Sequence, residues 1–216
     1  GSQELSRILL QFPITDITAD RTAGNIPASG SVNFYLKVYN AETSKTVPKD
    51  FSLEVLPIAQ TWQEGIGLDL ENYKDLTRGN IGSNWLYATK TNLWTRADSE
   101  TAVGGAYLTG ASDPHFKQTF ESGLEDLEID ISPLVEHWIA GTKANYGVGI
   151  MLSSSFEAYY SSSNDTSLVQ TPYTGSIINN TGGATDSYYT KRFFGRGTQF
   201  FFKKPTIEAR WDSSKR

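Results

Sequence analysis

The chain has 216 residues, 38% of them apolar and 12% aromatic, enough for one sizeable hydrophobic core, which excludes a globally disordered protein. It contains no cysteine, so disulfide frameworks, cysteine-based zinc sites and thiol nucleophiles are excluded together. A net charge of -5 argues against a nucleic-acid partner, and no apolar run is long enough for a transmembrane helix, so neither nucleic acid nor a membrane is expected as a partner.

The predicted elements are mostly strands. Residues 6–12, Ser-Arg-Ile-Leu-Leu-Gln-Phe, form a short apolar run stopped by Pro13. Residues 31–40 alternate cleanly, with Val32, Phe34, Leu36 and Val38 on one face and Asn33, Tyr35, Lys37 and Tyr39 on the other. Residues 51–58 repeat the pattern through Phe51, Leu53 and Val55, and residues 116–120 read as a further strand. Residues 126–131 place Leu127, Ile129 and Ile131 on one face and Asp126, Glu128 and Asp130 on the other. A short helix is predicted at about 133–140, with Ser132 as its cap, Pro133 at its first position and Gly141 at its end. Leu134, Val135, Trp138 and Ile139 share one face of it. A weaker helical pattern spans 70–76. Residues 145–155 are nearly all apolar or small, as in a strand buried on both faces. Residues 192–194 and 200–211 complete the strands, with Pro205 pointing to an edge or bulge in the last.

Two stretches, 59–112 and 156–190, lack regular periodicity and read as long loop insertions. The first carries Trp62, Trp85 and Trp94; the second carries Tyr159, Tyr160, Tyr173, Tyr188 and Tyr189. Flat aromatic faces in a Gly/Asn/Thr-rich setting suit sugar rings, so the three tryptophans are candidate glycan-stacking residues, against the plainer and preferred reading that they plug the ends of the sandwich. The tyrosines suit either a contact surface or a half-buried position under loops.

Charge is uneven. Residues 186–216 hold eight Lys/Arg against three acids, a net of +5, which leaves -10 on the remainder. Lys191, Arg192, Arg196, Lys203 and Lys204 are therefore candidates for an interface with an acidic partner, against the plainer reading of a solvated edge guarded by lysines. Asp126, Glu128 and Asp130 project from one strand face at intervals of about 6.5–7 Å, a spacing used by the paired carboxylates of glycoside hydrolases, against the plainer reading of an amphipathic strand showing its polar face to water. The segment Glu128-Ile-Asp-Ile131 resembles the Glu-x-Asp-x-Glu core of jelly-roll glycanases, but Ser132 stands where that family has its acid/base Glu. The same carboxylates are the candidate ligands of a structural Ca²⁺, helped by Glu121 and Glu125. His115 and His137 fall in no metal-ligand spacing, and no nucleophile elbow or phosphate-binding glycine loop is present.

Several segments together resemble one family. Residues 7–12, Arg-Ile-Leu-Leu-Gln-Phe, resemble the opening strand of DNRLRE-type domains, and residues 36–39, Leu-Lys-Val-Tyr, their next strand. Residues 61–65, Thr-Trp-Gln-Glu-Gly, resemble the family's turn, with Trp85 and Trp94 in the loop that follows. Asp130-Ile-Ser-Pro-Leu-Val-Glu-His-Trp-Ile-Ala-Gly141, followed by Asn145-Tyr-Gly147, is similar to the family's central signature, and Lys204 to Arg210 to its closing strand. The order is kept over nearly the whole chain; residues 156–190 depart from it. The resemblance implies a jelly-roll sandwich related to carbohydrate-binding modules, found in large secreted or surface assemblies and carrying no catalytic residues. The aromatic insertions and the ending at residues 200–211 look more like versions in virion structural proteins of tailed bacteriophages.

The expectation is a single all-β domain over 1–216: an antiparallel jelly-roll β-sandwich with one short helix and the two insertions. The Gly1-Ser2 opening and the abrupt ends suggest a fragment of a longer protein. The expected role is non-enzymatic: a structural module of a virion or surface assembly, docking to neighbouring proteins or to further copies of itself. The alternative is a carbohydrate-binding module for a surface glycan. No cofactor is expected beyond the Ca²⁺ considered above.

Overall fold

Strict two-residue periodicity needs a partner for its apolar face, and this chain supplies two such faces to each other. The computed structural model describes residues 6–44, 47–65, 82–95, 102–157, 183–184 and 191–214. The helical pattern at 70–76 and the five tyrosines of the second insertion lie outside the described residues. In chain order the elements are β1 (Ile8–Leu10), α1 (Thr15–Thr22), β2 (Asn33–Val38), β3 (Phe51–Pro57), β4 (Phe116–Phe120), β5 (Leu127–Asp130), α2 (Ser132–Ile139), β6 (Val148–Leu152) and β7 (Thr206–Arg210). A 3-10 turn, Phe201–Lys203, precedes β7.

The strands form two antiparallel sheets, one ordered β1-β6-β3-β4 and the other β5-β2-β7. Phe34, Leu36 and Val38 of β2 face Phe51, Leu53 and Val55 of β3 and Val148 and Ile150 of β6 in one buried cluster. The protein is thus an all-β sandwich. Phe51 lies opposite Phe120 across the β3–β4 ladder, and their rings stack at 5.1 Å.

Helix α2 closes the sandwich much as its sequence indicates. Leu134, Val135 and Trp138 are buried in the same cluster. Gly141 adopts φ +67°, the Gly141 N–H donates to Trp138 O at 3.2 Å, and the Thr142 N–H donates to His137 O at 3.0 Å. This glycine-terminated arrangement satisfies carbonyls that would otherwise be left open. Ser132 differs from its expected role. It is the first helical residue, and its hydroxyl does not cap the helix. That hydroxyl donates to the Asp130 carboxylate and accepts the Phe34 N–H at 2.8 Å, tying α2 to β2 instead.

The helix α1 has no counterpart in the sequence reading. None of its residues is fully buried, so it lacks the apolar stripe that would mark it. It is held by Arg21, whose guanidinium pairs with both oxygens of Glu136 on α2, at 2.7 and 3.1 Å.

The 59–112 insertion is in part a covering layer rather than a free loop. Ile58, Ala88, Trp94, Ala102 and Ala106 form a second buried cluster, with Leu9, Trp62, Tyr107 and Tyr146 packed around it. It lies on the outer face of the four-stranded sheet, since Leu9 of β1 belongs to it while Ile8 and Leu10 face the main core. This is why β6 is buried on both faces. Gly149 makes the contact: a Cβ there would sit 2.3 Å from Tyr107 Cε1. Gly149→Ala is expected to lower stability by about 1–3 kcal/mol through overpacking, read as a reduced denaturation midpoint.

Candidate interaction surface

The acidic strand face is the first candidate for chemistry, and its carboxylates are already committed. Asp126 accepts the Asn40 N–H at 2.7 Å. Glu128 pairs with Arg210 at 2.6 Å and Lys37 at 3.5 Å. Asp130 accepts from Asn33 Nδ2 and from the Ser132 N–H, each at 2.8 Å, as well as from the Ser132 hydroxyl. Glu208 completes a ladder across the three-stranded sheet, pairing with Arg210 at 2.7 Å and Lys37 at 3.3 Å. The Arg210 guanidinium also lies 4.3 Å from the centre of the Tyr35 ring.

The Arg210 hydrogen bond, opposed by desolvation and supported by Lys37, lowers the Glu128 pKa. Burial would raise that of Asp130, but the hydrogen bonds from Ser132 and Asn33 outweigh it and lower the pKa. A glycosidase acid needs the opposite shift. The three carboxylates do not converge as Ca²⁺ ligands either: among the described residues no group of three or more His, Asp or Glu is placed to hold a metal ion. The histidines stand apart, His115 against Leu108 O at 3.3 Å and His137 against the Thr142 hydroxyl at 2.7 Å.

The three tryptophans have separate fates. Trp94 is 1% exposed, with its indole N–H donated to Asn84 O at 2.9 Å, so it presents no ring face to a sugar. Trp62 is half-buried, its indole N–H donated to Tyr146 O at 2.8 Å. Trp85 is half-buried beneath Arg7, whose guanidinium lies 5.0 Å from its ring centre. Arg7 also donates to Gly104 O at 2.8 Å and pairs with Glu157 at 3.2 Å. It thereby fastens β1 to the covering layer.

The basic segment likewise divides. Lys191 is turned inward: its ammonium donates to Asn40 Oδ1 at 2.7 Å, Gly123 O at 2.9 Å and Glu125 O at 2.6 Å. It also lies 5.0 Å from the centres of the Phe120 and Phe193 rings. Arg192 is exposed beside it, and the two share a shallow hollow with Glu42 and Leu124. Arg196 makes a two-point pair with Glu64, at 2.9 and 3.0 Å, on largely exposed side chains, an arrangement worth little in water. Lys203 lies 4.9 Å from the Tyr39 ring centre and Lys204 5.6 Å from that of Phe201.

Glu125, next to Lys191, carries the clearest acid sensitivity. Burial would raise its pKa, but the N–H groups of Ser122, of Glu125 itself and of Gly123 and the Ser122 hydroxyl together hold it at about 2. The Ser122 N–H donates to it at 2.7 Å. Between an unfolded value near 4.5 and this folded value, the unfolded chain binds more protons. Stability from Glu125 is therefore present above about 4.5 and lost as pH falls towards 2. Glu125→Gln should reduce proton uptake on acid unfolding by up to about one proton, measured from the pH dependence of denaturation midpoints.

Among the described residues, the most exposed cluster of aromatics was not singled out by sequence reasoning as a candidate site. Phe200, Phe201 and Phe202 are 54%, 72% and 86% exposed, and Trp211 is 43% exposed. The first three sit at the 3-10 turn before β7 and the tryptophan just after it. The available signal is the run of residues 200–205, Phe-Phe-Phe-Lys-Lys-Pro: three adjacent aromatics cannot all face inward on a strand. Comparisons of the chain with protein-family models, with characterised proteins and with solved structures give no match.

Proposed function

We propose that this protein is a non-enzymatic structural module of a virion or surface assembly, docking to neighbouring subunits through its C-terminal segment. The observation that carries the reading is the exposure of Phe200, Phe201 and Phe202, beside Lys203 and Lys204, at one end of β7 and of Trp211 at the other. Large aromatics left open to water on an otherwise well-packed sandwich mark an interaction surface. The internal pairing of Asp126, Glu128 and Asp130 supports a role without hydrolysis. The resemblance of residues 130–147 to DNRLRE-type domains supports an assembly module, and the aromatic insertions, the absence of cysteine and the ending at residues 200–211, which look more like versions in phage virion proteins, support the virion setting.

The test is reconstitution with the components of the parent assembly, read by co-sedimentation. Wild-type protein should enter the assembly. A chain that stays free of every component would refute the reading. Binding across a glycan array, with a change in tryptophan fluorescence, would favour the carbohydrate-binding alternative instead.

A further inference from the structure

We propose that the outer edge of β7 is a strand-addition site for an extended, acidic segment of a neighbouring protein, gripped at its two ends by Phe200–Phe202 and by Trp211. The inference rests on the assembly role proposed above for the source of that segment and names the surface that receives it.

The three-stranded sheet has two edges of different character. In the order β5-β2-β7, each outer strand pairs with β2 alone. The β5 edge is sealed from within. Gln118 of β4 reaches across from the other sheet, donating its amide to Asp126 O at 2.8 Å and accepting the Glu128 N–H at 2.8 Å. Its side chain thus occupies two of the backbone groups that an added strand would need. Among the described residues, nothing other than β2 bonds to the main chain of β7. A five-residue strand with an open row of donors and acceptors is the template for β-augmentation.

The ends of this edge then give it specificity. Phe201 and Phe202 meet edge to face at 5.4 Å, and Phe194 and Phe200 likewise at 5.6 Å. These rings are pre-arranged, so contact with them costs little further ordering. Lys203 and Lys204 have no carboxylate partner among the described residues, whereas Arg196 and Arg210 are already paired with Glu64, Glu128 and Glu208. An incoming strand with Glu or Asp on its outward positions would neutralise this surface.

Two other occupants fit less well. A lipid surface would accept the phenylalanines and lysines, but it would offer the open backbone groups of β7 no strand to pair with. A second copy is opposed by charge if β7 meets β7, because like patches would face each other. It is opposed by the Gln118 seal if β7 meets β5.

The probe is a capped peptide of about eight residues, long enough to span the strand, alternating Val with Glu or Asp. It is added to the intact chain at about 1 mM, and amide exchange of residues 206–210 is followed by NMR. The acidic peptide should slow exchange at the outward amides about tenfold, while an isomer with Lys at every acidic position should not. Methylating alternate backbone nitrogens of the peptide should abolish the effect, since only a strand pairing depends on them. Phe201→Ser combined with Phe202→Ser alters exposed side chains only and should weaken binding about tenfold.

The proposal is overturned if the acidic peptide gives no protection, if the Lys isomer protects equally, or if methylated peptide binds as well. It is also overturned if the double variant abolishes either dimerisation of the chain or sedimentation with phosphatidylcholine/phosphatidylserine vesicles, which would assign the patch to a second copy or to lipid. Peptide binding without affinity for any assembly component would remove the assembly reading and leave the edge site standing. Entry of the wild-type chain into the assembly without any protection of β7 by the peptide would do the reverse.

Discussion

Trp94→Ala is expected to lower stability by about 3–5 kcal/mol, the range for truncating a fully buried aromatic. The ring is the largest side chain of the second cluster, packed among Ile58, Ala88, Ala102 and Ala106. The Trp94 backbone is also a node of the covering layer: its N–H donates to Leu86 O at 3.1 Å, and its carbonyl accepts the Ala102 N–H at 2.9 Å. Removing the indole opens a cavity and leaves Asn84 O without its donor. The loss should be concentrated in the covering layer. Amide exchange should therefore accelerate first at residues 84–95 and 102–106, while β2 and β3, which belong to the main cluster, stay protected. Equal acceleration at every strand would mean that the two clusters unfold as one unit. Because the ring is enclosed, addition of sugars should leave Trp94 fluorescence unchanged.

Lys191→Met should cost about 2–4 kcal/mol at neutral pH, although the new side chain retains most of the apolar stem. Three acceptors from separate parts of the chain, Asn40 Oδ1, Gly123 O and Glu125 O, would lose their donor together. The cation over Phe120 and Phe193 would be lost as well. The site thus clips the segment at 191 to the turn between β4 and β5. Its pH dependence has a definite sign. Burial lowers the Lys191 pKa to about 8, against the pull of Glu125 and Asp126. Between about 8 and the ordinary value of 10.5, the unfolded chain binds the extra proton. The contribution of this lysine to stability therefore rises through that window, and the neutral amine still keeps two N–H donors for the three acceptors. Denaturation midpoints of wild type and variant, compared from pH 7 to 10.5, should diverge as pH increases; a constant gap would contradict the assignment.

These two sites differ in how far the sequence could reveal them. The alternation through Phe34, Leu36 and Val38 marks β2 because one face must be apolar and the next polar. The same rule marks β5, and the Ser-Pro start and Gly141 mark α2 through backbone geometry alone. Trp94 and Lys191 follow no local rule. A tryptophan in a Gly/Asn/Thr-rich stretch suits a sugar platform and a buried plug equally, until the stretch is seen folded onto the back of a sheet. A lysine in a basic run looks like surface charge until three acceptors from positions 40, 123 and 125 surround it. Helix α1 escaped for a related reason: without a buried stripe, it depends on the distant pair between Arg21 and Glu136.

The carboxylates show the limit most clearly. Spacing put Asp126, Glu128 and Asp130 on one face, and that face is where Glu128 meets its partners. Whether such a row binds, catalyses or merely pairs depends on what stands opposite. Here the neighbours Lys37 and Arg210 come from β2 and β7, separated from Glu128 by 91 and 82 residues.

The sequence by itself determined the sandwich class, most strand faces, the short helix and the absence of thiol chemistry, because these follow from periodicity, backbone preference and composition. The tertiary structure alone decided which charges neutralise one another, which tryptophan is enclosed and which sheet edge Gln118 reaches across to. Those outcomes depend on groups far apart in the chain meeting within hydrogen-bonding distance, and no local pattern encodes that meeting.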